Sequence, residues 1–165
     1  MTPAVKIKQL LLSPAVLVPL AVLAVLFLLS DHASYRQEGL SMTPVEDTVT
    51  STGLTVEVLN TTNEVFWNAG DYDPSYRLQR RVLGLWFPMR QDPAWTGGQG
   101  CMMLPTCYYE KDIPQRLYFQ WSTDYRFPFT SLYPGRYRLI LDFYRQDGSY
   151  SYGPDFSLAA EFTVK

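Results

Sequence analysis

The sequence predicts an all-β domain, a two-layer β-sandwich, preceded by a single N-terminal transmembrane helix. Three observations carry that expectation. The 165 residues are 47% hydrophobic, only 18% charged and 15% aromatic, a composition that excludes disorder throughout and favours a Tyr- and Trp-rich β protein. Residues 10–29 carry no charge at all. Downstream of them, apolar residues recur with a period of two in short segments separated by turn residues. At about 100 to 200 residues per domain, the length allows one globular unit with appendages.

Charge and residue counts narrow the chemistry. Lys plus Arg is 14 against Asp plus Glu 16, and Lys6 and Lys8 precede the apolar run, leaving twelve basic and sixteen acidic residues after it. A main domain near −4 gives no electrostatic case for nucleic acid. One histidine and two cysteines cannot assemble most metal-ligand sets, and no cofactor is expected.

The first element is the apolar run. Residues 10–29 comprise nine Leu, four Val, three Ala and one Phe, interrupted only by Ser13, Pro14 and Pro19. As a helix, this covers roughly 30 Å, the hydrocarbon thickness of a bilayer. It exceeds the apolar core of a cleaved signal, about 7 to 15 residues, and no small-x-small cleavage site follows it. An uncleaved signal-anchor over 10–30 is therefore expected. With Lys6 and Lys8 before the span and Asp31, Arg36 and Glu38 after it, the positive-inside rule keeps residues 1–9 in the cytoplasm. The remainder is expected outside the cell membrane. Residues 31–52 hold Ser, Thr, Glu, Asp, Gly39 and Pro44 with no sustained period, and read as a polar tether.

The strands follow over residues 53–165. Leu54, Val56 and Val58 alternate with Thr55 and Glu57, and 60–63 supplies a turn. Residues 65–67 are a short second candidate. Segments 76–81 and 85–89 bracket Gly84 and read as a hairpin, with Leu78 and Trp86 pointing into the core. Leu117, Phe119 and Trp121 share a face. In 136–145, Tyr137, Leu139, Leu141 and Phe143 alternate with Arg138, Ile140, Asp142 and Tyr144, and Asp147-Gly148 marks a hairpin turn after them. Phe156, Leu158, Ala160, Phe162 and Val164 line one side of the last strand. Seven or so short strands in this length fit a sandwich better than a closed barrel.

Leu132-Tyr133-Pro134-Gly135-Arg136-Tyr137 introduces the strongest strand. In Greek-key sandwiches a tyrosine at the start of a late strand returns its hydroxyl to the backbone a few residues upstream, locking the corner. Tyr137 stands at that place, after the Pro134-Gly135 turn; the plainer reading is a core aromatic. With Gly53-Leu54-Thr55-Val56-Glu57-Val58-Leu59-Asn60, Tyr76-Arg77-Leu78, Gly84-Leu85-Trp86, Trp121 and Phe143, this stretch resembles the bacterial immunoglobulin-like domains of membrane-associated and secreted proteins. The resemblance implies an immunoglobulin-like Greek-key fold and an extracytoplasmic habitat, and transfers no catalytic set. Residues 90–107 form a longer connection than such domains usually carry.

Cys101 and Cys107 lie in that connection. Outside a membrane they would close a seven-residue loop as a disulfide, worth about 2 kcal/mol; the alternative is two unpaired thiols. Loops this long are often functional, and Trp95 with Tyr108 and Tyr109 forms a possible interaction surface for a sugar ring or a partner protein. The alternative is that these rings cover the sandwich edge. Asn68, Asp71 and Asp73 make an oxygen-rich turn lacking the ligand count of a calcium loop. Asn60-Thr61-Thr62 matches the glycosylation pattern. No nucleophile elbow or phosphate loop is present, and carboxylate pairs such as Glu110 and Asp112 share a face as alternate strand residues do by geometry alone, the plainer reading being a solvated strand edge. The expected function is recognition of an extracytoplasmic protein or glycan without catalysis. The alternatives are an inhibitor or accessory subunit of an envelope complex and, behind it, a carboxylate-dependent hydrolase.

Overall fold

The computed structural model describes residues 14–68, 76–90, 107–122, 127–146 and 154–165. Among these residues are one α-helix, α1 (Pro14–Leu29), a short 3-10 turn (Glu46–Thr48) and nine strands: β1 (Leu40–Pro44), β2 (Gly53–Asn60), β3 (Phe66–Asn68), β4 (Arg77–Val82), β5 (Leu85–Pro88), β6 (Cys107–Tyr109), β7 (Gln115–Gln120), β8 (Gly135–Arg145) and β9 (Phe156–Val164). The all-β class is thus correct for the body of the chain.

The strands form two sheets. The smaller has the order β1-β2-β7 and the larger β5-β4-β8-β3-β6, with β9 paired to β8. All the pairings are antiparallel. Strand β8 organises the larger sheet because its eleven residues outlast any one neighbour. It pairs with β9 from Gly135 to Phe143, with β4 from Tyr137 to Ile140 and with β3 at Tyr144 and Arg145. One edge of β8 therefore serves β9, and the other serves β4 and then β3.

The inner faces of both sheets contribute to one hydrophobic cluster, as the period-two alternation requires. Leu54, Val56 and Val58 from β2 meet Leu78 from β4 and Leu139, Leu141 and Phe143 from β8, all buried. Trp121 is fully buried, stacks on Phe162 with centroids 5.9 Å apart, and donates its indole N–H to the Ser51 carbonyl at 2.7 Å. Burying so large a ring demands a partner for that N–H. Asn60 is also fully buried. Its amide donates to the carbonyls of Glu64 at 2.7 Å and Tyr109 at 2.9 Å, and its oxygen accepts from the Thr62 N–H and hydroxyl. The turn after β2 is thereby locked to β6, and the Asn-x-Thr pattern offers no exposed amide.

Two expectations need correction. Residues 31–52 are not a free tether: β1 lies inside that range and pairs with β2 from Leu40↔Asn60 to Pro44↔Val56. Leu40 and Met42 are buried on alternate positions, so two apolar side chains at a spacing of two suffice for an edge strand when a neighbouring strand supplies the ladder. Trp86 does not enter the core. It is the cross-strand partner of Arg81, and partners share a face; with Leu78 inward, Arg81 and Trp86 lie outward. On the outer series of β8, Arg138 and Ile140 are 7% and 0% exposed.

Helix α1 has sixteen residues, about 24 Å at 1.5 Å per residue. Among the described residues no helix is long and apolar enough to cross a membrane; residues 10–13 of the expected span lie outside them. Nine large apolar side chains of α1 are exposed, from 45% at Leu17 to 79% at Leu28. The helix ends at Leu29; the hydroxyl of the next residue, Ser30, donates to the Phe27 carbonyl at 2.8 Å, and the His32 ring packs on Phe27 with centroids 4.2 Å apart.

Candidate interaction surface

The outer face of the larger sheet carries an aromatic strip. In the register, Trp67 on β3 stands opposite Tyr108 on β6 and Tyr144 on β8, so the three rings occupy adjacent strands on one face. Trp67 and Tyr144 stack with centroids 4.3 Å apart and planes 18° apart, an arrangement worth about 0.5 to 1.5 kcal/mol beyond area burial. Tyr108 is 45% exposed. Along β8, Asp142 continues the face. It pairs with Arg77 at 2.6 Å and accepts the Ser157 hydroxyl at 2.5 Å. Burial raises the Tyr144 hydroxyl above its usual pKa, and the nearby carboxylates of Asp142 and Asp155 push it further. That hydroxyl stays protonated at neutral pH and offers a donor beside the ring stack.

Four residues before Asp142 on β8, the same face is occupied from within the chain. The Arg138 guanidinium sits 4.7 Å from the ring centroids of both Tyr35 and Trp86. Its Nε donates to Gln79 Oε1 at 2.7 Å, and an Nη lies 3.4 Å from an Asp31 carboxylate oxygen. Asp31 also accepts hydrogen bonds from the Tyr35 hydroxyl, the Gln79 amide and the Ala33 N–H. Burial would raise the Asp31 pKa, but these donors and the Arg138 charge outweigh it and hold the carboxyl below its ordinary value. Burial lowers the Arg138 pKa, with Asp31 opposing.

The expected surface of Trp95, Tyr108 and Tyr109 is only partly assembled. Tyr109 is fully buried, edge-on to Phe143 at 5.3 Å, because consecutive strand residues face opposite ways and Tyr108 took the outer side. Trp95 lies outside the described residues. So does Cys101, and with it the disulfide; Cys107 is half-buried at the start of β6, opposite Asn68. Asp71, Asp73, Asp147 and Gly148 also lie outside. Asn68 itself is buried. Glu110 and Asp112 are exposed in the turn after β6. Among the described residues no three His, Cys, Asp or Glu side chains gather as a metal site would require.

The corner residues are all described. Leu132 is buried and its N–H donates to the Ser51 carbonyl at 2.7 Å. Gly135 has φ +154°, which L side chains rarely adopt, so the turn behind Pro134 requires glycine. Tyr137 is 1% exposed, and its hydroxyl donates to the Tyr133 carbonyl at 2.7 Å.

Sequence reasoning missed Trp67, Tyr144 and Arg138 as site residues. For the first two a signal existed: each lies opposite in phase to a core phenylalanine, Phe66 and Phe143, and so must face outward. For Arg138 there was none, because its partner Asp31 is remote in sequence. Comparison of this chain with protein-family models, curated proteins and solved structures finds no match.

Proposed function

We propose that this chain is a membrane-anchored display protein. An immunoglobulin-like Greek-key sandwich stands outside the cytoplasmic membrane, the N-terminus stays in the cytoplasm, and the sandwich acts by binding a partner protein or glycan and not by catalysis. The observation that carries the reading is α1: a charge-free helix with nine large apolar side chains exposed around its circumference, which water does not favour and lipid does. The corner hydrogen bond of Tyr137 supports the Greek-key assignment. The strip of Tyr108, Trp67 and Tyr144 supports recognition, since aromatic side chains with polar tips are the residues that anchor interfaces.

Protease shaving of intact cells with tags at both ends tests the address. Loss of the C-terminal tag alone is expected; retention of both tags, or loss of both, overturns it. Capture of envelope proteins and glycans from intact membranes tests the surface. Wild type is expected to retain a ligand that Tyr108→Ala and Trp67→Ala release, while equal capture by all three removes the strip from the proposal.

A further inference from the structure

The residues just after α1 make a self-contained docking arrangement on the outer face of the larger sheet. The Asp31 N–H donates to the Trp86 carbonyl at 2.7 Å, in an isolated antiparallel bridge along the free edge of β5. The Asp31 side chain then turns over the sheet to meet Gln79 and Arg138. Tyr35 closes the arrangement, its hydroxyl on Asp31 at 2.5 Å and its ring 4.7 Å from the Arg138 guanidinium, which Trp86 backs at the same distance. An arginine whose side chain is 8% exposed is covered here by Asp31 and Tyr35 of the connecting segment, together with Gln79 and Trp86 on the outer face of the sheet.

We propose that residues 30–36 are a releasable latch, which clamps the end of α1 to the sandwich by seating Asp31 and Tyr35 on Arg138. Three features give it the character of a latch. It is local, since both seated side chains come from a few residues of chain. It is polar, so it opens into water without exposing core surface, unlike a strand of the sandwich. It is also charge-assisted: a buried guanidinium left without its carboxylate is costly, so the closed form is specified by one pair. Closed, it gives the head one attitude relative to α1. Open, it leaves the head hinged on the segment before β1. This inference does not depend on where the chain resides.

Hydrogen exchange of the full-length chain in detergent micelles, read by mass spectrometry on peptides covering 30–39 and on those of β8 and β9, tests it. In wild type, 30–39 is expected to be protected. Asp31→Ala and Tyr35→Ala both lie outside the sandwich core, and each is expected to speed exchange in 30–39 by about tenfold or more. Protection of β8 and β9 is expected to stay at the wild-type level. Unchanged exchange at 30–39 in Asp31→Ala overturns the latch. So does a rise that β8 and β9 share, because the segment would then belong to the cooperative core. Micelles impose no sidedness, so failure of the proposed membrane address leaves this result standing.

Discussion

The two faces of β8 bury their residues by different means. Inward, Tyr137, Leu139, Leu141 and Phe143 are at most 2% exposed and lie in the hydrophobic cluster between the sheets. Outward, Arg138 is almost as inaccessible, yet its cover is a carboxylate, an amide and two aromatic rings. The inner face is held by apolar area, which has no direction and is lost only with the fold. Arg138 on the outer face is held by a few oriented contacts, which depend on geometry and ionisation. Low exposure therefore signifies cooperative stability along the inner side of the strand and, at Arg138, a separable contact on the outer one.

The contrast is most severely tested by Phe143→Ala. This fully buried ring packs edge-on to Tyr109 and stacks on Phe156 at 5.7 Å, and its truncation is expected to cost about 3 to 5 kcal/mol in urea unfolding. A loss under about 1 kcal/mol would show that the inner face is not the stabilising one. Tyr137→Phe keeps the ring and removes only the hydroxyl donated to Tyr133. It is expected to lower stability by about 1 kcal/mol, seen as a shifted midpoint at unchanged slope.

Acid sharpens the comparison further. Asp31 has its folded pKa below the ordinary 3.8, so its contribution is complete above that value and is lost as the pH falls through the lower, folded one. Exchange in 30–39 is expected to accelerate there beyond the intrinsic pH effect, while β8 keeps its protection. Equal acceleration in both would merge the two faces into one unit. The smallest effect belongs to the β4–β5 turn, where Leu83 and Gly84 have φ +50° and +84°. Leucine is strained in that region and is 79% exposed. Leu83→Asn, matching the preferred Asn-Gly turn, is expected to raise the thermal midpoint by a few degrees, a gain of up to about 1 kcal/mol.

The difference between the faces also decides what could be read in the sequence. Alternation is a local signal, so Leu54, Val56 and Val58, or Tyr137 through Phe143, declare an inner face without reference to any partner. The Pro134-Gly135 turn and Tyr137 were legible for the same reason, since the hydroxyl reaches only four residues back. Strand β1 was not, because Leu40 and Met42 sit among Ser, Thr and Pro, and their pairing is supplied by β2. The side on which Tyr109 fell was a matter of phase, and a three-residue strand is too short to fix its own phase by pattern. Arg138 was least legible: nothing near it in the chain announces that Asp31 and Tyr35 will cover it.

Strand β1 also sets a limit on distance. Between Leu29, where the helix ends, and Leu40, where pairing with β2 begins, lie only ten residues. Pulled straight at about 3.3 to 3.6 Å each, they span roughly 35 Å. Even with its clasp undone, the first residue of β1 stays within a sphere of about that radius around the helix terminus.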